Sequence, residues 1–147
     1  MRNRVAVTGV GVVANVGQGS SAFWSGLLSG APSHGFELHD FDPLPYFDGN
    51  AKEARRCDRF AQLAFAAADE AITQAGDFIS DPTRCGSWVG TGVGGLDTLE
   101  KQVQVLSEKG PRRVSPFLIP MLMANAASAG ISMKYGLQGP SETTVTA

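Results

Sequence analysis

Cys85-Gly86-Ser87-Trp88-Val89, then Gly90-Thr91-Gly92-Val93-Gly94-Gly95, then Leu96 to Lys109 is the stretch that decides the fold. The first piece is a short apolar run, which reads as a strand. The last piece reads as a helix with Leu99, Val103 and Leu106 inward, stopped by Gly110-Pro111. Between them, four glycines in six positions open backbone conformations closed to other residues. Strand, glycine turn and helix in that order form a step of an α/β protein, and ligands are usually placed at such junctions. The cluster lacks the Lys-Ser/Thr ending of a phosphate-binding loop. A tight turn and a mobile, ligand-facing loop are equally good readings of it.

Working outward, the clearest helix runs from about Asp58 to Ala75. Phe60, Leu63, Ala64, Ala67, Ala68, Ala71, Ile72 and Ala75 form one apolar stripe, with Asp58 as cap and Gly76 as stop. Its alanines suit close packing, as in a helix buried between two sheets or one packed at a surface. Further back, Val5 to Val13 reads as a strand kept slender by Gly9 and Gly11. A helix capped by Ser20 or Ser21 follows, running through Leu28 with Phe23, Leu27 and Leu28 on one face. Ala31 to Ala51 holds three prolines and reads as loop with at most short strands. Toward the other end, Pro116 to Pro120 reads as an extended loop, Met121 to Tyr135 as one small-residue helix, and Thr143 to Ala147 as a strand. The element order implies a layered α/β fold over residues 1–147.

Composition excludes several function classes. Twelve basic against fourteen acidic residues leave a net charge of −2, which is no electrostatic footprint for nucleic acid. No apolar run reaches the roughly 20 residues needed to span a bilayer, and the start lacks a signal-peptide pattern. The two cysteines, Cys57 and Cys85, have no metal-ligand or CxxC spacing and read as reduced thiols of a cytoplasmic protein. Gly9-Val10-Gly11-Val12-Val13-Ala14 matches a dinucleotide fingerprint, but Gly17 and Gly19 break the helix it needs, and the first acidic residue, Glu37, comes too late. Glycines that let one layer pack closely on another explain it better. His34 and His39 lack partners at ligand spacing. Cys57 precedes a helix N-terminus near Arg55, Arg56 and Arg59, which would lower its pKa. With no base in the sequence, an inert thiol is the better reading. No cofactor and no metal are assigned.

Several segments nevertheless resemble one family in register. These are Arg4 to Val13, Phe23-Trp24-Ser25-Gly26-Leu27-Leu28-Ser29-Gly30, Arg55-Arg56-Cys57-Asp58-Arg59-Phe60 and Gly90 to Leu96. Lys109-Gly110-Pro111-Arg112-Arg113-Val114-Ser115-Pro116-Phe117 and Tyr135 to Ala147 complete the set. Together they resemble the β-ketoacyl-acyl-carrier-protein synthases, most closely the synthase II branch. The resemblance implies a thiolase-like αβαβα sandwich, of which this chain would supply most of the N-terminal half, and a homodimer. It implies decarboxylative Claisen condensation of malonyl-carrier protein with an acyl thioester, the partner being an acyl carrier protein carrying those groups. The family's nucleophilic cysteine would follow Ala147, and its two histidines belong to the later half. Cys57, Cys85, His34 and His39 match none of them, so no catalytic residue is assigned within these 147 residues.

What carries over is pocket and gate. Val93 matches a gating aliphatic position, with Gly92 and Gly94 giving it room, and Ile119 and Met123 match positions lining the acyl pocket. Ordinary core is the alternative for Val93, Ile119 and Met123, since pockets are themselves mostly apolar. Two other readings compete with the active enzyme. One is a non-catalytic partner subunit of the chain-length-factor kind. The other is a standalone module, which is physically weak because the last strand would present an open edge; as an isolated piece the chain is expected to be aggregation-prone or molten.

Overall fold

The computed structural model describes residues 4–30, 37–77 and 79–146. The chain is α/β and divides into two compact units. One comprises residues 1–42 and 66–78, the other 43–65 and 79–147. In each, the described residues explain the packing separately.

The second unit is built on two parallel strands, β3 (Ser87–Gly90) and β4 (Ser141–Thr144), paired from Ser87↔Ser141 to Gly90↔Thr144. β3 begins two residues later than the sequence suggests, and β4 begins two residues earlier. Parallel strands need a long crossover. Here it is made of α4 (Leu96–Lys109), α5 (Leu118–Leu122) and α6 (Ala126–Tyr135). α6 is tied to both strands by hydroxyls. Ser87 Oγ donates to the Ser128 carbonyl at 2.7 Å and lies 2.8 Å from Ser132 Oγ, while Ser128 Oγ lies 2.9 Å from Thr143 Oγ1. Ser128 is fully buried, so this pairing removes the cost of an unsatisfied hydroxyl. The core is completed by Phe47, Ala54, Ala61, Phe65, Ala127 and Ile131, with the Phe47 and Phe65 rings edge to face at 5.1 Å. Residues 31–36 of the loop expected over Ala31 to Ala51 lie outside the described residues; the rest carries a 3-10 turn at Leu44–Phe47, and α2 (Ala51–Ala54) begins at its end.

Two expectations for the crossover need correction. α4 has the predicted bounds, but Val103 and Leu106 are exposed and Thr98 is buried in their place. Polar contacts instead fix the start and one side of the helix. The Thr98 N–H donates to the buried Asp58 carboxylate at 2.7 Å, and Gln102 Oε1 accepts the Ser115 N–H at 2.7 Å. The continuous helix expected from Met121 to Tyr135 is also wrong. α5 starts inside the predicted loop, at Leu118, and Met123 then leaves helical geometry at φ −57°, ψ 129°.

In the first unit, the strand expected over Val5 to Val13 is confined to β1 (Val13–Ala14), antiparallel to β2 (Gly17–Gln18). Val5 and Val7 are exposed, and among the described residues no strand lies beside them. β-branched residues favour a strand only where a ladder and a face receive them. The segment lies instead along α3 (Arg59–Ala75), where methyl groups at Gly9 and Gly11 would collide with the carbonyl oxygens of Ala71 and Ala67. Close packing is thus what these glycines serve, as the sequence suggested, although the layer beneath is a helix.

α1 (Ser20–Leu28) is capped by Gly19 at φ 88°, without a side-chain cap bond from Ser20 or Ser21. Its free N-terminus is served by Glu70 of α3, which accepts from the Ser20 N–H at 2.6 Å, the Ser20 hydroxyl at 2.7 Å and the Val12 N–H at 2.8 Å. No residue of α1 is buried, and of the three residues placed on one face Leu27 and Leu28 are exposed. α3 begins after Asp58 and is stopped by Gly76 at φ 68°, as its caps imply. Its predicted stripe is half-buried, while Ala61, Phe65 and Ala66, which lie off it, are buried. No residue from Arg59 to Ile72 is exposed, and most of them are half-buried.

Candidate functional site

Because β3 and β4 are parallel, their carboxyl ends lie at one edge of the pair, and the glycine cluster leaves from that edge. The Thr91 N–H donates to the Thr144 carbonyl at 3.0 Å, tying the start of the loop to the end of β4. Thr91 Oγ1 accepts the Gly94 N–H at 3.1 Å and closes the turn. The loop then packs on the chain between α5 and α6. Gly94, at φ 97°, has no room for a side chain: a methyl group would stand 2.8 Å from the Leu122 carbonyl oxygen and 2.9 Å from Ala124 Cα. The Gly95 N–H donates to that same carbonyl at 3.1 Å. Glycine serves here both for left-handed backbone and for close approach.

Of the expected pocket and gate residues, the structure brings the backbone of Gly94 against the residues on either side of Met123. It leaves Val93 55% exposed on the loop and Ile119 61% exposed on α5, while Gly92 has open space around it. Met123 is 47% exposed and lines a cavity of about 660 Å³ in the second unit. Phe47, Phe65, Met121, Met133 and Gly130 contribute to the same wall; Gly92, Val93, Gly94 and Ile119 do not. Met123 and Met133 give that wall adaptable apolar surface.

Both basic residues lining it are engaged. The Arg56 guanidinium sits 4.3 Å from the Phe117 ring centroid, and Lys134 Nζ donates to the Tyr46 carbonyl at 2.6 Å. Cys57, on the rim, behaves opposite to what its helix position and arginines suggested: burial pushes the thiol pKa up, and Glu53 adds to the rise. Desolvation outweighs the dipole. Its neighbour Asp58 does more than cap α3. One carboxylate oxygen accepts the Phe60 N–H and the other the Thr98 N–H, joining the starts of α3 and α4. His39 is exposed beside Glu37 at 3.6 Å, and His34 lies outside the described residues. Among the described residues, no group of three His, Cys, Asp or Glu is placed to hold a metal ion, and no helix is long and apolar enough to cross a membrane.

Sequence reading missed Glu70 and the Ser128–Thr143 pair. A carboxylate set beside an alanine stripe was the available signal for the first. The second carried none, since a serine in a small-residue helix is unremarkable until a strand is laid against it.

The comparisons with known proteins agree with this geometry. Residues 32–147 match the model of the beta-ketoacyl synthase N-terminal domain. The chain belongs to the β-ketoacyl synthase family. It is 39% identical over 163 residues to a 3-oxoacyl-[acyl-carrier-protein] synthase 2 of Synechocystis sp., covering 99% of this chain and 39% of that protein. To the enzyme of the same name from Staphylococcus aureus it is 38% identical over 159 residues, covering 98% of this chain and 38% of that one. The chain therefore spans about two fifths of the length of these curated relatives. Among solved structures, a chain from a type II PKS acyl-carrier protein in complex with its ketosynthase bound to the hexaketide superposes with a TM-score of 0.83 at 30% identity, over 99% of this chain and 42% of that one. The ishigamide ketosynthase/chain length factor superposes with a TM-score of 0.75 at 23% identity, over 94% of this chain and 43% of that one, a likeness of fold alone. The β-ketoacyl synthase fold of these neighbours is thiolase-like, and the α/β architecture described above conforms to it.

Proposed function

We propose that residues 1–147 supply the N-terminal part of a 3-oxoacyl-acyl-carrier-protein synthase, a condensing enzyme of fatty acid or polyketide chain elongation. The observation that carries this reading is the likeness to two synthase 2 enzymes along almost the whole chain. The reaction is decarboxylative Claisen condensation. An acyl group held as a thioester is attacked at its carbonyl by the carbanion left when malonyl-carrier protein loses carbon dioxide, and the thiolate departs. The substrates arrive on an acyl carrier protein; the solved complex of such a protein with its ketosynthase supports this choice of partner.

The chain's own part is to shape and gate the acyl site. Val93 is the gate, with Gly92 in open space on one side and Gly94 docked against Leu122 on the other, and Ile119 and Met123 meet the acyl chain. The exposure of Val93, Ile119 and Met123 fits residues covered by acyl chain or by a second subunit, and we assign the protein as a cytoplasmic homodimer. The bond-making cysteine and histidines of the family are matched by none of Cys57, Cys85, His34 and His39. The raised thiol pKa of Cys57 supports leaving it out of the chemistry. The test is condensation of acyl- and malonyl-carrier protein by the whole protein carrying these residues. Release of carbon dioxide together with a 3-oxoacyl product is expected, and Cys57→Ser should keep it. A protein that binds the carrier but forms no product would point to a non-catalytic partner subunit.

A further inference from the structure

Leu122 and Ala126 are four residues apart, so in an unbroken helix the Ala126 N–H would donate to the Leu122 carbonyl. It donates to the Met123 carbonyl instead, at 3.0 Å, and the Leu122 carbonyl accepts the Gly95 N–H at 3.1 Å. One local signal favours a break, since Asn125, of a type preferred at helix starts, is the N-cap of α6, but its side chain makes no cap bond. Pro120 lies in the first turn of α5, where its missing N–H is harmless, and Ala124, Ala126 and Ala127 flank the break with the strongest helix formers. The donor that takes up the freed Leu122 carbonyl is across the fold, at Gly95. Gly95 sits at φ −78°, ψ 59°, so its φ does not require glycine. Its requirement is spatial: a methyl group there would collide with the Met121 carbonyl oxygen and stand 2.8 Å from Leu122 Cα.

We propose that the docked glycine loop is what interrupts the helix, and that it thereby holds Met123 where the acyl chain meets it. This makes Gly95 a positioning residue for acyl-chain selectivity. The selectivity role rests on the function proposed above; the docking rests on geometry alone. Met123 is the residue at which α5 leaves helical geometry, so the bond that sets the break also sets the direction of its side chain. The Thr91–Thr144 bond anchors the other end of the loop to β4, so the loop, the strand end and Met123 are held as one mechanical unit.

The test uses the whole protein with isotopically labelled methionine methyl groups. Gly95→Ala is expected to move the Met123 methyl resonance and leave that of Met133, which lies within α6, in place. The ratio of kcat/KM for a long against a short acyl chain should change about threefold or more, a ratio that does not depend on the fraction of protein folded. Met123→Ala should change the same ratio, and the double variant should change it no further than Met123→Ala alone. Thr91→Val, which removes the hydroxyl that accepts the Gly94 N–H without adding bulk, should move the Met123 resonance in the same direction even if Gly95→Ala does not fold. An unmoved Met123 resonance in the folded variants overturns the docking. Independent, multiplying effects in the double variant overturn the positioning role. A wild type that condenses no acyl chain overturns the selectivity role together with the proposed function, while the methyl resonance still decides the docking.

Discussion

Glu70 shows how much one side chain can organise at a distance in sequence. Its carboxylate accepts three hydrogen bonds from Val12 and Ser20, and these hold its pKa below the usual carboxylate value, the backbone bonds first. The sign follows from the direction of the shift. A carboxylate whose pKa is lower folded than unfolded stabilises the fold fully above its unfolded pKa of about 4.3, and this contribution is lost as pH falls from there through the folded value. Glu70→Gln keeps one acceptor but turns an N–H₂ toward a backbone donor. At pH 7 we expect it to lower unfolding stability by about 1 kcal/mol, a modest figure because the site is open to screening solvent. The gap between wild type and variant in urea midpoint should narrow as pH drops below about 4. A gap that stays constant with pH would mean the carboxylate's charge contributes nothing. The sequence shows Glu70 as a carboxylate beside the alanine stripe, but not what it binds, because its partners are fifty and fifty-eight residues away.

At the scale of elements, helices were legible wherever local signals set their ends. α4 and α3 have the predicted stops at Gly110 and Gly76, both with positive φ. Which face is buried was legible only in part. Periodicity placed Val103 and Leu106 inward, yet both are exposed, and the contacts that hold α4 are made by the Thr98 N–H and the Gln102 side chain. An apolar stripe states that a face needs cover, and does not state which neighbour supplies it. The contact of Gly11 with α3 is the clearest packing consequence. Gly11→Ala should force the segment off the Ala67 carbonyl and cost about 1–3 kcal/mol, read as a shift in thermal midpoint. Unchanged stability would mean that this close approach is dispensable.

For the whole molecule, the decisive arrangement is the shared carboxyl edge of β3 and β4, where the glycine loop meets the end of β4. The gate proposed at Val93 sits on that loop, so Val93→Phe in the whole protein should reduce elongation of long acyl chains about tenfold more than that of short ones. Condensation rates across a series of chain lengths check this, and an unchanged profile would remove Val93 from the gate. The sequence by itself determined the α/β class, the strand–glycine–helix step and the family, because turn chemistry, periodicity and ordered motifs are properties of neighbours in the chain. Tertiary structure alone decided that Val5 to Val12 lies along a helix as a non-strand, that Glu70 serves the start of α1, and that the helix predicted over Met121 to Tyr135 breaks at Met123. In each case a backbone group takes its hydrogen bond, or its available space, from a residue distant in sequence, and local propensity yields to that partner.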